Sequence, residues 1–207
     1  MKLSTLVVLC AGLCAAVSGA QTRSLITQKI DDTQLVTLRG DVHPLARPQY
    51  DRGLAPDSFM LRHLRILLKR APEQEQAVER FIDQLHDPAS PSYHRWLTPR
   101  ETGQRFGVAQ QDIDAIVMWL GAHGFQVDQV YPSRTMIEFS GAAAQVREAF
   151  HTEIHRYFVK GQEHWAVSTD PRIPGALAPA VAGIAKLNDF EPHPAYHEGG
   201  RVRSDGG

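Results

Sequence analysis

The sequence predicts an α+β fold in which an antiparallel, ferredoxin-like sheet carries helices packed on one face. Segments with strand character and segments with helical spacing follow one another along residues 60–190, in the order strand, helices, two strands, helix and further strands. The long stretches between the strands allow right-handed crossover connections, which bring the helices together over the sheet. These two observations together predict the layered arrangement.

The first predicted strand is the apolar run at 64–68, and a helix follows it from Pro72. Proline is tolerated at the first helical position, and Glu73 and Glu75 lie near the positive end of the helix dipole. The Asp-Pro-Ala-Ser-Pro segment at 87–91 ends this helix. Its predicted buried face consists of Ala77, Val78, Phe81, Ile82 and Leu85.

Two further helices are predicted before the next strands. Thr98 is a candidate N-cap, because Pro99 follows it at the first helical position. The third helix ends at Gly124, since glycine readily adopts the left-handed conformation that closes a helix. Apolar side chains lie three and four residues apart along it, at Ile113, Ile116, Val117 and Leu120.

Two hairpins and a short helix are predicted in the second half of the domain. The first hairpin joins 125–131 to 135–139, and Ser140 is a candidate N-cap of the short helix that follows. The second hairpin joins 153–159 to 164–167 through a turn that contains glycine. A proline- and alanine-rich helical turn at 174–182 and a last strand at 181–187 complete the predicted elements.

Composition excludes several classes of protein. The 207 residues are 43% hydrophobic and carry a formal net charge of −1, so we do not expect the bulk of the chain to be disordered. A dedicated nucleic-acid-binding protein would show a concentrated basic surplus. The strand aromatics Phe139, Tyr157 and Phe158 have the acids Glu138 and Glu153 near them, which favours packing in the core or at an edge over RNA binding.

Residues 1–20 have the pattern of a secretory signal peptide. A positive start and a short apolar run are followed by small residues, with a predicted cleavage between Ala20 and Gln21. The run is too short for a comfortable membrane span, although an uncleaved anchor is the alternative. We therefore predict a secreted or periplasmic protein without stable membrane association. Cys10 and Cys14 would be removed with the signal, so they indicate export and not a disulfide.

Turn-rich segments flank the predicted domain. Residues 21–59 are polar and contain pairs such as Arg39-Gly40, so we interpret them as an extended N-terminal arm without a core of its own. Residues 191–207 combine prolines, glycines and charges, which is typical of a flexible linker or tail. The folded domain is therefore expected over 60–190.

The ten histidines do not form a recognisable metal site. His151 and His155 stand four residues apart, as do His193 and His197, but neither pair belongs to a His-Glu-x-x-His motif. The mature chain would hold no cysteine that could act as a further ligand. We predict no metal and no cofactor.

Catalysis by this chain is not expected either. The sequence contains neither a Gly-x-Ser-x-Gly elbow nor a phosphate-binding glycine loop. Glu101, Asp112 and Asp114 lie on predicted helices, where carboxylates usually face solvent, so we do not interpret them as a catalytic pair. No catalytic residue is predicted.

One segment gives the sequence a specific resemblance. Tyr93-His94-Arg95-Trp96-Leu97-Thr98-Pro99, preceded by the 87–91 segment, is similar to the propeptide of the sedolisins, the serine-carboxyl peptidases, in the part called the pro-kumamolisin activation domain. The resemblance spans roughly 60–190, and the arm at 36–58 resembles N-terminal extensions of bacterial members. Further motifs follow in order at 106–107, 119–120, 123–125, 137–141, 146, 149–152, 164–166, 173–174 and 181–184.

The resemblance implies a subtilisin-propeptide-like fold and a role as folding assistant and inhibitor of a sedolisin-like catalytic domain, in cis or in trans, with removal on acid activation. Members of the family use serine, glutamate and aspartate for catalysis and usually bind calcium in the catalytic domain. None of those residues can be carried over, so the resemblance implies neither catalysis nor a calcium site here. Two alternatives stay open: a truncated precursor of a sedolisin endopeptidase without its catalytic domain, or a stand-alone secreted protein-binding module.

Large aromatic residues in and beyond this motif are candidates for the core or for a partner interface. The candidates are Tyr93, His94, Trp96 and Trp165. If Trp96 packs in the core, its replacement by alanine should lower the free energy of unfolding by about 3–5 kcal/mol. If it anchors an interface, stability should hold while inhibition falls.

Histidine protonation is a candidate mechanism of release. Histidine titrates near pH 6.5, so acidification could add positive charge at an interface and loosen it. The candidate pH-sensing residues are His151, His155 and His164. Scattered surface histidines without a switching role are the alternative.

Overall fold

A four-stranded antiparallel sheet organises residues 22–190, the part of the chain that this computed structural model describes. The strands are β1 (Leu35–Thr37), β2 (Asp51–Leu54), β3 (Met60–Leu68), β4 (Gln126–Val130), β5 (Met136–Ala142), β6 (Ile154–Val159), β7 (Gln162–Val167), β8 (Arg172–Pro174) and β9 (Val181–Ala185). The helices are α1 (Pro72–His86), α2 (Pro99–Phe106), α3 (Gln110–Ala122) and α4 (Ala143–Phe150). The predicted signal peptide with its cleavage point at Ala20 and Gln21, both cysteines and the tail 191–207 lie outside the described residues.

The main sheet has the predicted ferredoxin-like topology. Its strand order is β4-β5-β3-β9, and every neighbouring pair is antiparallel. The first three helices lie between β3 and β4 in the chain, and α4 follows β5. The predicted α+β architecture is therefore confirmed. A second sheet (β2-β6-β7) and the pair β1-β8 join strands that precede β3 to strands that lie between α4 and β9.

One face of the main sheet is buried beneath α3 and α4. Leu61, Leu64 and Ile66 of β3 are at most 1% exposed on this side. A bulge between Leu61 and Leu64 keeps both leucines on the same face, although three positions separate them. Burial of each such side chain stabilises the fold by roughly 1.5–3 kcal/mol. The helices contribute Ile113, Ile116, Leu120, Val146 and Phe150 to this core.

The first two helices form a smaller core beside the sheet, built on Phe81, Leu85 and Phe106. Thr98 caps α2 as predicted, because its side chain accepts from the backbone N–H of Glu101 and its own N–H donates to the Glu101 carboxylate. The predicted burial of Ile82 is wrong: this side chain is 46% exposed. The contact between α1 and α2 buries Phe81 and Leu85 of α1, but it is too narrow to bury Ile82 as well. Within 22–190, every helix is too short or too polar to cross a membrane.

The N-terminal arm lies against the domain and extends two of its sheets. β1 pairs with β8, and β2 pairs with β6. Leu25, Ile26 and Ile30 pack against the main core. The prediction that Asp112 faces solvent is wrong: residues of the arm cover this carboxylate, which is fully buried.

Ser140 does not cap α4, which corrects a further prediction. It lies within β5, and its hydroxyl donates to Asp128 Oδ2 at 2.6 Å. The helix begins after Ala142, whose backbone N–H donates to the Gln145 side-chain oxygen at 2.6 Å. The Gln145 side chain in the first turn thus accepts a hydrogen bond from the N–H of the N-cap residue Ala142, which would otherwise have no partner at the start of the helix.

Candidate docking surface of the main sheet

The face of the main sheet opposite α3 and α4, here called the open face, is the candidate functional surface. The alternate residues of β3 point to this side, and Leu67 among them is 39% exposed. The edge strand β9 presents only Gly183 and Ala185 there, opposite Leu67 and Arg65. A sheet that buries one face and leaves part of the other exposed within residues 22–190 offers a preformed, rigid surface to a partner.

Glu138 is the centre of a polar network on the open face. Its side chain is only 7% exposed, and its Oε2 accepts from Arg65 Nε at 3.0 Å and from the Tyr131 hydroxyl at 2.8 Å. Its Oε1 lies 3.0 Å from His63 Nδ1. His63 occupies the β3 bulge with a left-handed backbone (φ 60°), which directs the chain around this network.

The network stabilises the charged form of the carboxylate. Hydrogen bonds from His63, Tyr131 and Arg65 lower the pKa of Glu138 from its ordinary value of 4.5 to about 2. A folded pKa below the unfolded value stabilises the fold above about pH 4.5, and that contribution is lost as the pH falls through about 2. The open face therefore keeps this negative charge across the acidic range.

Three residues of the open face could in principle hold a metal ion. Ligand atoms of His63, Asp128 and Glu138 lie within 4.8 Å of one another. An imidazole and two carboxylates are ligands that zinc uses. Both oxygens of Glu138 are already engaged, however, and the guanidinium of Arg65 supplies the positive charge that a metal would bring. We therefore interpret the group as a hydrogen-bonded network.

The predicted pH-sensing histidines occupy three different settings. His155 lies between two carboxylates, with Nδ1 2.8 Å from Asp51 Oδ2 and Nε2 3.5 Å from Glu153 Oε2. Protonation of His155 would strengthen these ion pairs between β6 and its surroundings. His151 ends α4 in a left-handed conformation (φ 50°), and its side chain makes no hydrogen bond within residues 22–190.

His164 takes part in an aromatic stack that the sequence did not reveal. Phe190 lies between two imidazoles, with ring centroids 4.3 Å from His164 and 4.2 Å from His43. Burial, together with the charge of His164, lowers the pKa of His43. Two protonated rings on either side of Phe190 would repel each other. The role of these histidines in pH sensing stays a prediction.

The aromatic motif residues lie on the surface between α1 and α2. Tyr93 stacks on His94 with a centroid distance of 3.8 Å, and Trp96 is 65% exposed. Core packing of Trp96 is therefore wrong, and a partner contact stays a prediction. Trp165 differs, since it is half-buried against the main core and meets Phe59 edge-on at 6.0 Å.

We expect the Trp96→Ala variant to change the free energy of unfolding by less than about 1 kcal/mol, because its ring loses little burial on truncation. Urea denaturation of both proteins measures this difference. Trp165→Ala is the internal comparison, with an expected loss of about 2–4 kcal/mol from its half-buried ring. Equal losses in the two variants would contradict the assigned surface position of Trp96.

A pair of carboxylates joins the arm to the loop before β8. Asp41 Oδ2 is buried and has no hydrogen-bond partner among residues 22–190, and Asp170 Oδ1 accepts from the backbone N–H groups of Gly40 and Asp41, each at 3.1 Å. Burial, and secondarily the charge of Asp170, raises the pKa of Asp41 to about 6. The pair thus favours a folded state in which Asp41 is protonated.

The Asp41→Asn variant should make stability less dependent on pH. A raised folded pKa contributes stability that is complete below about pH 3.8 and is lost as the pH rises through about 6. We expect this substitution to stabilise the protein at pH 7.5 by about 1–2 kcal/mol, a value below the full linkage because the side chain is only half-buried. Urea denaturation at pH 4 and pH 7.5 measures it, and a gain of equal size at both values would contradict the assignment.

Comparison with known proteins identifies most of the described chain. A family model described as "Pro-kumamolisin, activation domain" matches residues 49–190. Xanthomonalisin from Xanthomonas sp. (strain T-22) is 30% identical over 140 residues, which are 65% of this chain and 17% of that protein. Sedolisin from Pseudomonas sp. (strain 101) is 26% identical over 140 residues, 67% of this chain and 24% of that protein. The matched region therefore spans less than a quarter of the length of these curated relatives.

Proposed function

Because the chain belongs to the pro-kumamolisin activation domain family, the propeptide domain of sedolisin-family peptidase precursors, we propose that it assists the folding of a sedolisin-like catalytic domain and inhibits it until it is removed. The observation that carries this proposal is the extent of the family match, which covers the whole main sheet and all four helices. The domain itself performs no catalysis in this proposal.

The open face is the surface that we assign to the catalytic domain. Its exposed apolar side chain, Leu67, is flanked by the polar network around Glu138. A partly apolar centre with charged groups at the rim is the usual composition of a protein interface. Because a β-sheet is rigid, its docking would require little ordering on binding, which favours affinity.

The described chain ends beside the same face. After β9, the backbone N–H of Asp189 donates to the Trp165 carbonyl at 3.1 Å, and the Asp189 carboxylate accepts from the Trp165 N–H at 2.8 Å. These bonds fix the direction in which the chain arrives at Phe190. As part of the proposal, we infer that residues 191–207, which lie outside the described range, extend into the peptidase cleft.

Export and acid-triggered removal complete the proposal. The signal pattern at 1–20 supports export to the periplasm or the medium. The fold itself is stable in acid at these two positions, because Glu138 stays charged to about pH 2 and Asp41 favours the folded state when protonated. Acid-triggered release therefore requires that the interface with the peptidase weakens at a higher pH than the one at which the domain unfolds. The trigger is therefore expected at the contact between the two proteins.

Inhibition in trans tests this function. Residues 22–207 would be titrated into mature xanthomonalisin at pH 6 with a chromogenic peptide substrate, and trypsin would serve as the specificity control. We expect inhibition of xanthomonalisin with a constant below about 1 µM and no effect on trypsin. A second assay follows recovery of activity when unfolded mature enzyme is diluted with and without the chain. Absence of both inhibition and folding assistance would refute the proposal.

A further inference from the structure

A cleft of about 460 Å³ opens at the edge of the open face, between β3, the end of β9 and the chain that follows it. Arg62, Arg65 and Lys186 line it together with Trp165 and Phe190. The cleft exists because β9 contributes Ala185 at this point, whose small side chain leaves space between the basic and the aromatic residues.

The basic side chains of the cleft have unused hydrogen-bond donors. Arg62 and Lys186 are exposed and make no hydrogen bond or ion pair with any residue between 22 and 190. Arg65 donates to Glu138 through Nε alone, and its side chain is 34% exposed. The outer edge of its guanidinium is therefore available for a bidentate contact with a carboxylate.

The acids of the cleft cannot neutralise these donors. Glu138 is engaged by the network described above, and Asp189 Oδ1 accepts from the backbone N–H of Trp165 at 2.8 Å. Three of the residues that line the cleft are permanent cations and one, Asp189, is a carboxylate, so the lining carries an excess of two positive charges. Glu138 and Asp128 of the polar network do not line the cleft. Because Arg62 and Lys186 use none of their donors within residues 22–190, the vacant hydrogen-bonding capacity consists mainly of donors, and a complementary ligand must supply acceptors.

We propose that this cleft binds an acidic segment of the peptidase, with carboxylates on Arg62, Arg65 and Lys186 and an apolar side chain against Trp165 and Phe190. The inference rests on the proposed function and names the chemistry of its partner surface. Charge complementarity selects the acidic segment, and the aromatic wall selects a peptide over a bare anion. Because Arg62, Arg65 and Lys186 keep their charge in acid, weakening of this contact on acidification must come from the partner's carboxylates.

A peptide probe tests the cleft without the enzyme. Hexaglutamate would be titrated into residues 22–207 at pH 7 and low salt, with hexaglutamine as the uncharged probe. The readout is intrinsic tryptophan fluorescence, to which Trp165 contributes as the one of the three tryptophans that lines the cleft. We expect binding of hexaglutamate alone, with a tenfold or greater loss of affinity in the double variant Arg62→Glu, Lys186→Glu. The matched control is Lys29→Glu, Arg80→Glu, which makes the same charge change at exposed sites away from the cleft and should lose less than about threefold. Far-UV circular dichroism verifies that both variants fold.

The same variants in the xanthomonalisin titration separate this inference from the proposed function. Loss of inhibition in the cleft variant but not in the control supports the inference. Equal inhibition by wild type and both variants, or equal binding of hexaglutamate by them, overturns it while the inhibitor function stands. If hexaglutamate binds the cleft but xanthomonalisin binds no form of the chain, the acidic ligand chemistry stands and the proposed function fails.

Discussion

The Asp112→Ala variant is expected to lose about 3–5 kcal/mol of the free energy of unfolding. Asp112 is fully buried, and its carboxylate accepts from the backbone N–H groups of Leu25 at 2.8 Å and Ile26 at 2.9 Å, as well as from the Ser24 hydroxyl. Alanine would leave the backbone N–H groups of the half-buried Leu25 and Ile26 without this acceptor, whereas the Ser24 hydroxyl would keep the Ile26 carbonyl at 3.2 Å. It would also remove a negative charge from the first turn of α3, where the helix dipole favours one.

Asp114→Ala is the matched control on the same helix. Asp114 is exposed, and within the described part of the chain it accepts only from the Gln110 side chain at 2.7 Å, so we expect a change of less than about 0.5 kcal/mol. Urea denaturation measures both variants, and limited proteolysis shows whether residues 22–34 detach from α3. Extrapolated free energies of unfolding carry an uncertainty of about 10–15%. Losses that differ by less than about 1 kcal/mol between the two variants would contradict the role of Asp112 as the anchor of the arm.

The Gly103→Ala variant is expected to destabilise the protein by about 2–4 kcal/mol through overpacking. Gly103 lies in α2 against the turn that joins β4 to β5. A Cβ atom there would overlap the Pro132 carbonyl oxygen and lie 3.0 Å from the Ser133 carbonyl carbon. Because both are backbone atoms, the helix or the hairpin would have to shift.

Gly121→Ala makes the same substitution in α3, where nothing lies within 4 Å of the added methyl group. Alanine has the higher helix propensity, so we expect this variant to gain about 0.5–1 kcal/mol. The two substitutions should therefore change the melting temperature in opposite directions, which calorimetry measures. A melting temperature of Gly103→Ala no lower than that of Gly121→Ala would contradict overpacking at Gly103.

The parts of the fold that could be predicted from sequence depend on short-range signals. Thr98 with Pro99 and Glu101 determines the start of α2 within one turn, and the glycine turn after Lys160 determines the β6-β7 hairpin. β1 and β2 were not predicted because their pairing partners lie more than 100 residues further along the chain. Strands of three and four residues are also too short to show a periodicity that would reveal them.

The candidate site was largely hidden for the same reason. Glu138 alternates with Ile137 and Phe139, a pattern that places it on the opposite face of its strand, and this was the one available signal for a buried polar residue there. Its partners His63 and Arg65 come from a strand about 70 residues earlier, and the β3 bulge sets which of them reaches it. The motif around Trp96 identified the family, but it did not indicate that the indole faces solvent.

The most direct test of the central claim compares two matched variants as inhibitors of mature xanthomonalisin. Leu67→Asp places a charge on the open face, and Ile82→Asp places one on α1, at side chains that are 39% and 46% exposed. Docking through the open face predicts that Leu67→Asp raises the inhibition constant by about 30-fold or more, whereas Ile82→Asp changes it by less than about threefold. Equal inhibition by the two variants, or a larger loss from Ile82→Asp, would contradict the assignment of the open face as the docking surface.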